Sequence, residues 1–202
     1  MPVQSANLQR LSQDDPVACI AGAVRGVLPD VGEAVPLHEP GFHGNEWSYV
    51  RDCLDSGWVS TAGQYVDRFE QALGELTDVP NSVAVVNGTA ALHTCLKVAG
   101  INSGDEVLLP AMTFVATANA VSYCEATPHF VDISPETLGV DPAKLDNYLR
   151  GISELKSGTT VNRFTGRPIR ALIVMHTLGH PVDLDPLLEI CERYHMVLVE
   201  DA

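Results

Sequence analysis

The sequence predicts an α/β fold, a mainly parallel sheet with helices on both faces. From Ser82 onward, short apolar runs alternate with segments of helical length or period. The runs are continuous, not alternating apolar and polar, which is the pattern of strands covered on both sides. A length of 202 residues, 46% of them apolar and 19% charged, gives a globular chain with enough material for a sizeable core.

The elements follow in order. Pro16 to Leu28 carries Val17, Ile20, Ala21, Val24, Val27 and Leu28 at near-helical spacing, with Ser12 and Asp14 as available caps. Gly26, Pro29, Gly32 and Pro36 break that helix into a linker, so residues 1–34 read as an N-terminal helical extension and 35–202 as a separate body. Asn45 to Ser56 sets Trp47, Val50, Cys53 and Leu54 on one face, and Gly57 is its C-terminal stop. The turn Gly57 to Gly63 leads into a helix over Tyr65–Thr77. Strands are expected at Val83–Val86, Glu106–Leu109, His129–Val131, Ala171–Met175 and Met196–Val199. Helices are expected between them at Ala90–Ala99, Val115–Tyr123, Pro142–Arg150 and Pro186–Tyr194. The polar stretch Gly151–Pro168 reads as a surface excursion.

Composition narrows the function. Twelve Lys and Arg against 26 Asp and Glu give a formal net charge of −14. That balance excludes nucleic acid and anionic membrane as partners, because both need clustered basic residues. Cys19, Cys53, Cys95, Cys124 and Cys191 are odd in number and form no C-x-x-C. They read as reduced, buried thiols of a cytoplasmic protein, not as a disulfide framework or zinc site. The first residues lack the basic start and apolar stretch of a signal peptide. No apolar run approaches the roughly 18–20 residues of a membrane helix. The chain stops one residue past the apolar stretch MVLVED, so it is expected to be part of a longer protein.

Two phosphate signatures fail. No G-x-G-x-x-G follows a strand, and Lys156-Ser157-Gly158-Thr159-Thr160 lacks the order of a phosphate loop. His176 and His180 stand four apart, but in H-T-L-G-H-P, where Gly and Pro preclude a regular helix, so they read as loop histidines and no metal site is assigned.

Three stretches carry chemistry. In Val85-Val86-Asn87-Gly88-Thr89-Ala90, a strand gives way to a helix through a glycine turn. The first helical N–H groups then point outward at the positive end of the dipole. This is an anion site, or else an ordinary turn with Thr89 as N-cap. In Pro110–Asn119, Phe114 stands at the mouth of a strand, where open α/β sheets put their ligands. It either stacks on a flat ring or belongs to the core. In Val197–Asp201, two acids end an apolar strand. They can hold a heteroaromatic nitrogen protonated, bind a metal or ribose hydroxyls, or meet solvent.

Taken in this order, Gly-Thr-Ala-Ala-Leu, T-F-x-A-T-x-N and V-E-D-A resemble the DegT/DnrJ/EryC/StrS family of sugar-nucleotide aminotransferases. These are fold-type I enzymes using pyridoxal 5′-phosphate (PLP). Ser56–Thr61 with Phe69-Glu70 and His176–Asp183 with Asp185-Pro186 are similar to further segments of that family. The resemblance runs from about Val35 to Ala202. It implies the N-terminal portion of the PLP-binding large domain, with the rest of that domain and a small domain expected beyond. Residues 1–34 and the 151–168 excursion resemble the branch acting on 4-keto sugars for legionaminic-type nonulosonic acids.

The resemblance assigns roles. Gly88, Thr89 and Ala90 hold the cofactor phosphate, Phe114 stacks on the pyridine and Asp201 keeps its nitrogen protonated. Each unit by which Asp201 raises that nitrogen's pKa is worth about 1.4 kcal/mol. Ser60 and Thr61 lie near the substrate. It further implies a glutamate donor, a nucleotide-linked keto-sugar acceptor (a UDP-4-keto-6-deoxy-amino sugar) and a homodimer. The family's Schiff-base lysine lies C-terminal to the V-E-D-A strand, hence beyond Ala202. Lys97, Lys144 and Lys156, the three lysines present, match no such motif, so no catalytic residue is assigned and the chain alone is expected to be inactive. A sugar dehydratase of the same family, with histidine at the lysine position, and a non-catalytic ligand-binding or dimerisation fragment are the alternatives.

Overall fold

The computed structural model describes residues 15–28 and 40–202. They fall into two compact units, one ending at Asp67 and the other beginning at Arg68. The expected boundary at residue 34, the caps Ser12 and Asp14, and the linker residues Pro29, Gly32 and Pro36 lie outside the described residues.

In the first unit, α1 (Pro16–Val27) is capped by Asp15, whose carboxylate accepts the Val17 N–H at 2.9 Å. Pro16 has no N–H to leave unpaired and suits the first helical position. Gly26 lies within the last turn and does not end the helix, because a single glycine costs only about 1 kcal/mol there. α2 (Glu46–Ser56) stops at Gly57, which takes the left-handed conformation (φ 76°) that glycine adopts without a Cβ penalty. Tyr65, at the start of α3 (Gln64–Thr77), donates its hydroxyl to Asp52 at 2.8 Å and stacks 5.0 Å from Tyr49.

The second unit contains α4 (Gly88–Val98), β1 (Glu106–Pro110), α5 (Val115–Tyr123), β2 (Thr127–Val131) and α6 (Pro142–Ile152). There follow β3 (Ser153–Lys156), β4 (Thr159–Asn162), β5 (Ile169–Met175), α7 (Leu184–Arg193) and β6 (Val197–Asp201). Four strands form one parallel sheet in the order β2-β1-β5-β6. The pleat sends neighbouring residues to opposite faces. Val107, Leu109, Ala171 and Ile173 pack against Leu92 and Leu96 of α4 and Ala120 and Val121 of α5. Leu108, Leu172 and Val174 pack against Leu145 and Leu149 of α6 and Leu187 and Ile190 of α7. Burying each of the Val, Leu and Ile side chains among them contributes roughly 1.5–3 kcal/mol, which explains why the strands read as unbroken apolar runs.

Three expectations are corrected. Val83–Val86 is not a strand: no described strand lies beside it, and Val83 and Val86 are 76% and 88% exposed. Its backbone is served instead by α3, where Glu70 accepts the Ala84 N–H at 2.8 Å. The excursion at 151–168 is ordered as well as polar. α6 runs through Ile152, and β3 and β4 pair as a hairpin across Ser157-Gly158, whose φ values of 50° and 80° are what a two-residue primed turn requires. Finally, Cys124 and Cys191 are buried as expected, whereas Cys19 and Cys95 are exposed.

Candidate functional site

All four strands of the sheet run the same way, so their C-terminal ends define one edge. Three features meet there: the turn after β1, the end of β5 and the end of β6. Met175 and Asp201 are register partners on β5 and β6. The Met175 sulfur accepts from the Phe114 N–H at 3.4 Å and lies 3.2 Å from the Thr113 hydroxyl oxygen. Phe114 is the N-cap residue of α5, and its ring is directed outward, leaving the residue 70% exposed; it is not part of the core.

Asp201 is held from the side. The fully buried Thr117, in the first turn of α5, donates its hydroxyl to Asp201 Oδ2 at 2.8 Å. Thr117 in turn accepts from Thr113 at 2.8 Å. The Asp201 backbone carbonyl accepts the His176 N–H at 3.0 Å. These bonds leave Oδ1 of Asp201 with no protein donor among the described residues.

The turn at Asn87–Ala90 forms as an Asn-capped helix start. Asn87, in extended conformation, accepts the Ala90 N–H at 2.8 Å through its side chain, so Asn87 and not Thr89 is the cap. The amides of Gly88 and Thr89, first in the helix, have no intrahelical partner. A Cβ added at Gly88 would meet nothing within 4 Å, so a ligand can approach the backbone there. α4 ends beside the opposite edge of the sheet, since Leu96 O accepts the Ile101 N–H and β1 begins at Glu106. At about 1.5 Å per residue, its eleven residues span roughly 15 Å from there to its N-terminus.

Other sequence candidates belong to the other unit or serve different bonds. Ser60 and Thr61 are in the first unit, in an exposed turn. His176 Nδ1 accepts the Val182 N–H at 3.2 Å, so its proton sits on Nε2, which faces Glu200 at 3.2 Å; His180 is exposed. Lys97 donates to Ile101 O at the far end of α4, Lys144 lies between Asp132 and Asp141, and Lys156 pairs with Glu154. Sequence reading missed Asn87, Thr113, Thr117 and Met175 as parts of the site. The two threonines stand inside the T-F-x-A-T-x-N motif, and their four-residue spacing is the available signal.

The family model for DegT/DnrJ/EryC1/StrS aminotransferases matches residues 42–202, most of the chain. The chain belongs to this family. Two GDP-perosamine synthases are similar to it. That of Caulobacter vibrioides is 38% identical over 87% of this chain and 42% of its own length. That of Vibrio cholerae is 36% identical over 83% and 41% respectively. The chain thus spans about two fifths of these curated relatives. Among solved structures, a DegT/DnrJ/EryC1/StrS aminotransferase from Brucella abortus superposes with a TM-score of 0.67 at 29% identity, over 77% of this chain and 39% of that one. NtdA from Bacillus subtilis, with bound cofactor PMP, gives 0.64 at 29% identity, over 77% and 32%. The fold is therefore that of the fold-type I aminotransferases. Among the described residues, no helix is long and apolar enough to cross a membrane.

Proposed function

We propose that the full-length protein carrying these residues transfers an amino group from glutamate to a nucleotide-linked keto-sugar, using PLP. The observation that supports this reading is the sheet edge where Phe114 and the Thr117-held Asp201 are joined through Thr117 and Met175, with the open amides of Gly88 and Thr89 at the start of α4 as the anion site. These groups fit the cofactor's chemistry, an anion at one end of a flat ring and a protonated nitrogen at the other. When bound, PLP supplies the electron sink that lets an amino group leave one carbon and be delivered to another.

The chain's own residues bind and orient. Gly88, Thr89 and Ala90 form the phosphate turn, with the first two amides and the Thr89 hydroxyl as donors. Phe114 covers one ring face and excludes water from it. Asp201 holds the ring-nitrogen proton through Oδ1. Ser60 and Thr61 contact the substrate, and the amine-bearing lysine lies outside these residues.

The narrower reading of the substrate is a UDP-linked 4-keto-6-deoxy-amino sugar, handled by a cytoplasmic homodimer. The names of the perosamine synthases favour a GDP-linked sugar instead. Incubating the full-length protein with glutamate and either keto-sugar, with mass detection of the amino-sugar, tests the class and separates the nucleotides. A glutamate-dependent shift of the cofactor absorbance band is expected. No shift and no aminated product with either sugar would overturn the reading.

A further inference from the structure

We propose that Thr117 is a positioning residue that sets the Asp201 carboxylate for the cofactor ring nitrogen, with Thr113 completing the relay; this rests on the reading of Asp201 given above. Asp201 ends β6 and Phe114 caps α5, so the groups for the nitrogen and the face of one ring come from separate elements. The Thr117 hydroxyl joins those elements directly, across 84 positions of sequence. It is 0% exposed, so water does not replace it if it is lost.

The direction of the relay is fixed by proton count. Each hydroxyl has one proton. Thr117 gives its proton to Asp201 Oδ2 at 2.8 Å and receives one from Thr113 at 2.8 Å. Donation along such a row polarises each successive hydroxyl and strengthens the bond that reaches the carboxylate. Met175, the register partner of Asp201, lies against Thr113 and the Phe114 amide, so the strand that sets the carboxylate's height also sets the ring-stacking residue. With Oδ2 engaged, the carboxylate cannot rotate freely, and Oδ1 is left for the ring N–H. Valine at 117 keeps the shape and removes the bond; serine keeps the bond.

The test uses the full-length protein and pyridoxamine 5′-phosphate labelled with ¹⁵N in the ring, which binds without a covalent bond. Its readouts are the dissociation constant and the ring-nitrogen chemical shift. T117V is expected to weaken binding roughly tenfold, the scale of one hydrogen bond to a charged group, and to move the nitrogen signal toward the unprotonated value. T117S is expected to restore both. If T117V binds like the parent with an unchanged nitrogen signal, the proposal is wrong. If D201A leaves the protonated signal in place, the Asp201 reading itself fails, whatever Thr117 does. Should T117V not fold, T113V carries the same test from outside the buried position. It should displace the signal in the same direction by less, and no displacement overturns the relay.

Discussion

The Glu106 carboxylate, 2% exposed at the first residue of β1, faces His129 Nδ1 on the neighbouring strand β2 at 2.7 Å. Asn162 and Thr165, at and beyond the end of β4, donate to the same carboxylate at 2.9 and 2.6 Å. His129 Nε2 continues to the Tyr148 hydroxyl at 2.9 Å. One acid thus ties two strands, a helix and the excursion together at the sheet edge away from the candidate site.

This arrangement sets a pH dependence. Burial pushes the Glu106 carboxyl up, but hydrogen bonds from Thr165, Asn162 and His129, together with the His129 charge, outweigh it and hold the group below its ordinary value. A carboxyl depressed in the folded state stabilises above its unfolded pKa, roughly 4.3, and loses that contribution as pH falls through the folded value. E106Q should therefore lower unfolding free energy near pH 7 by about 2 kcal/mol, since the amide leaves buried donors unmatched. The gap between E106Q and the parent should close below about pH 4, where the parent's own carboxyl takes up its proton. Urea unfolding measured across the acid range up to neutrality checks it, and a constant gap throughout would count against the assignment.

Gly139 is required for space and not for backbone conformation. A Cβ there would lie 2.0 Å from Val182 Cγ1, and Val182 is buried in the core facing α6 and α7. G139A is expected to destabilise by about 1–3 kcal/mol through overpacking. V182A alone should also destabilise, by about 1–2 kcal/mol through lost burial. Combined, the two should cost clearly less than their sum, because the second removes the methyl that the first meets. An additive double-mutant cycle would show that the two positions do not share that space.

Much of this architecture is legible in the residues, and the exceptions share physical causes. The continuous run Val107 to Leu109 announces β1 as a strand because each face of it meets its own pair of helices. Val83–Val86 has a similar composition, but a strand also needs a neighbour to complete its ladder, and periodicity does not report neighbours. The β3–β4 hairpin is hidden because Ser157-Gly158 sits in a stretch that superficially suggests a phosphate loop, while its role is that of a primed turn. At the site, Gly88, Phe114 and Asp201 are readable as motif positions. Thr117 stands in a motif too, but its bond to Asp201 is not readable there, because the partner lies 84 residues away.

The three lysines permit a direct chemical check on these residues. Lys97 Nζ reaches Ile101 O at 3.3 Å at the end of α4 away from Gly88, and Lys144 and Lys156 are paired with carboxylates. Treating the 202-residue chain with PLP and borohydride should therefore yield no stoichiometric adduct at any of the three by peptide mass mapping. Stoichiometric labelling of Lys97 would mean that the amine is available to the cofactor and would overturn the assignment of that role to a lysine outside the chain.

Asn87 allows helix capping to be separated from anion binding. Its side chain accepts the Ala90 N–H, a bond that any short acceptor can make and that is worth about 1 kcal/mol when replaced by alanine. Aspartate caps as well as asparagine and also favours the helix dipole, so N87D should leave the chain as stable as the parent or slightly more so. The same substitution puts a negative charge beside the amides of Gly88 and Thr89, where the phosphate is proposed to sit. Two charges about 4 Å apart near a protein surface repel by several kcal/mol before salt screening. In the full-length protein, N87D should weaken pyridoxamine 5′-phosphate binding at least roughly tenfold, and added salt should recover part of the loss. N87A should instead lose stability with a smaller change in binding. If N87D binds the phosphate-bearing ligand as tightly as the parent while remaining folded, the phosphate does not occupy this helix end.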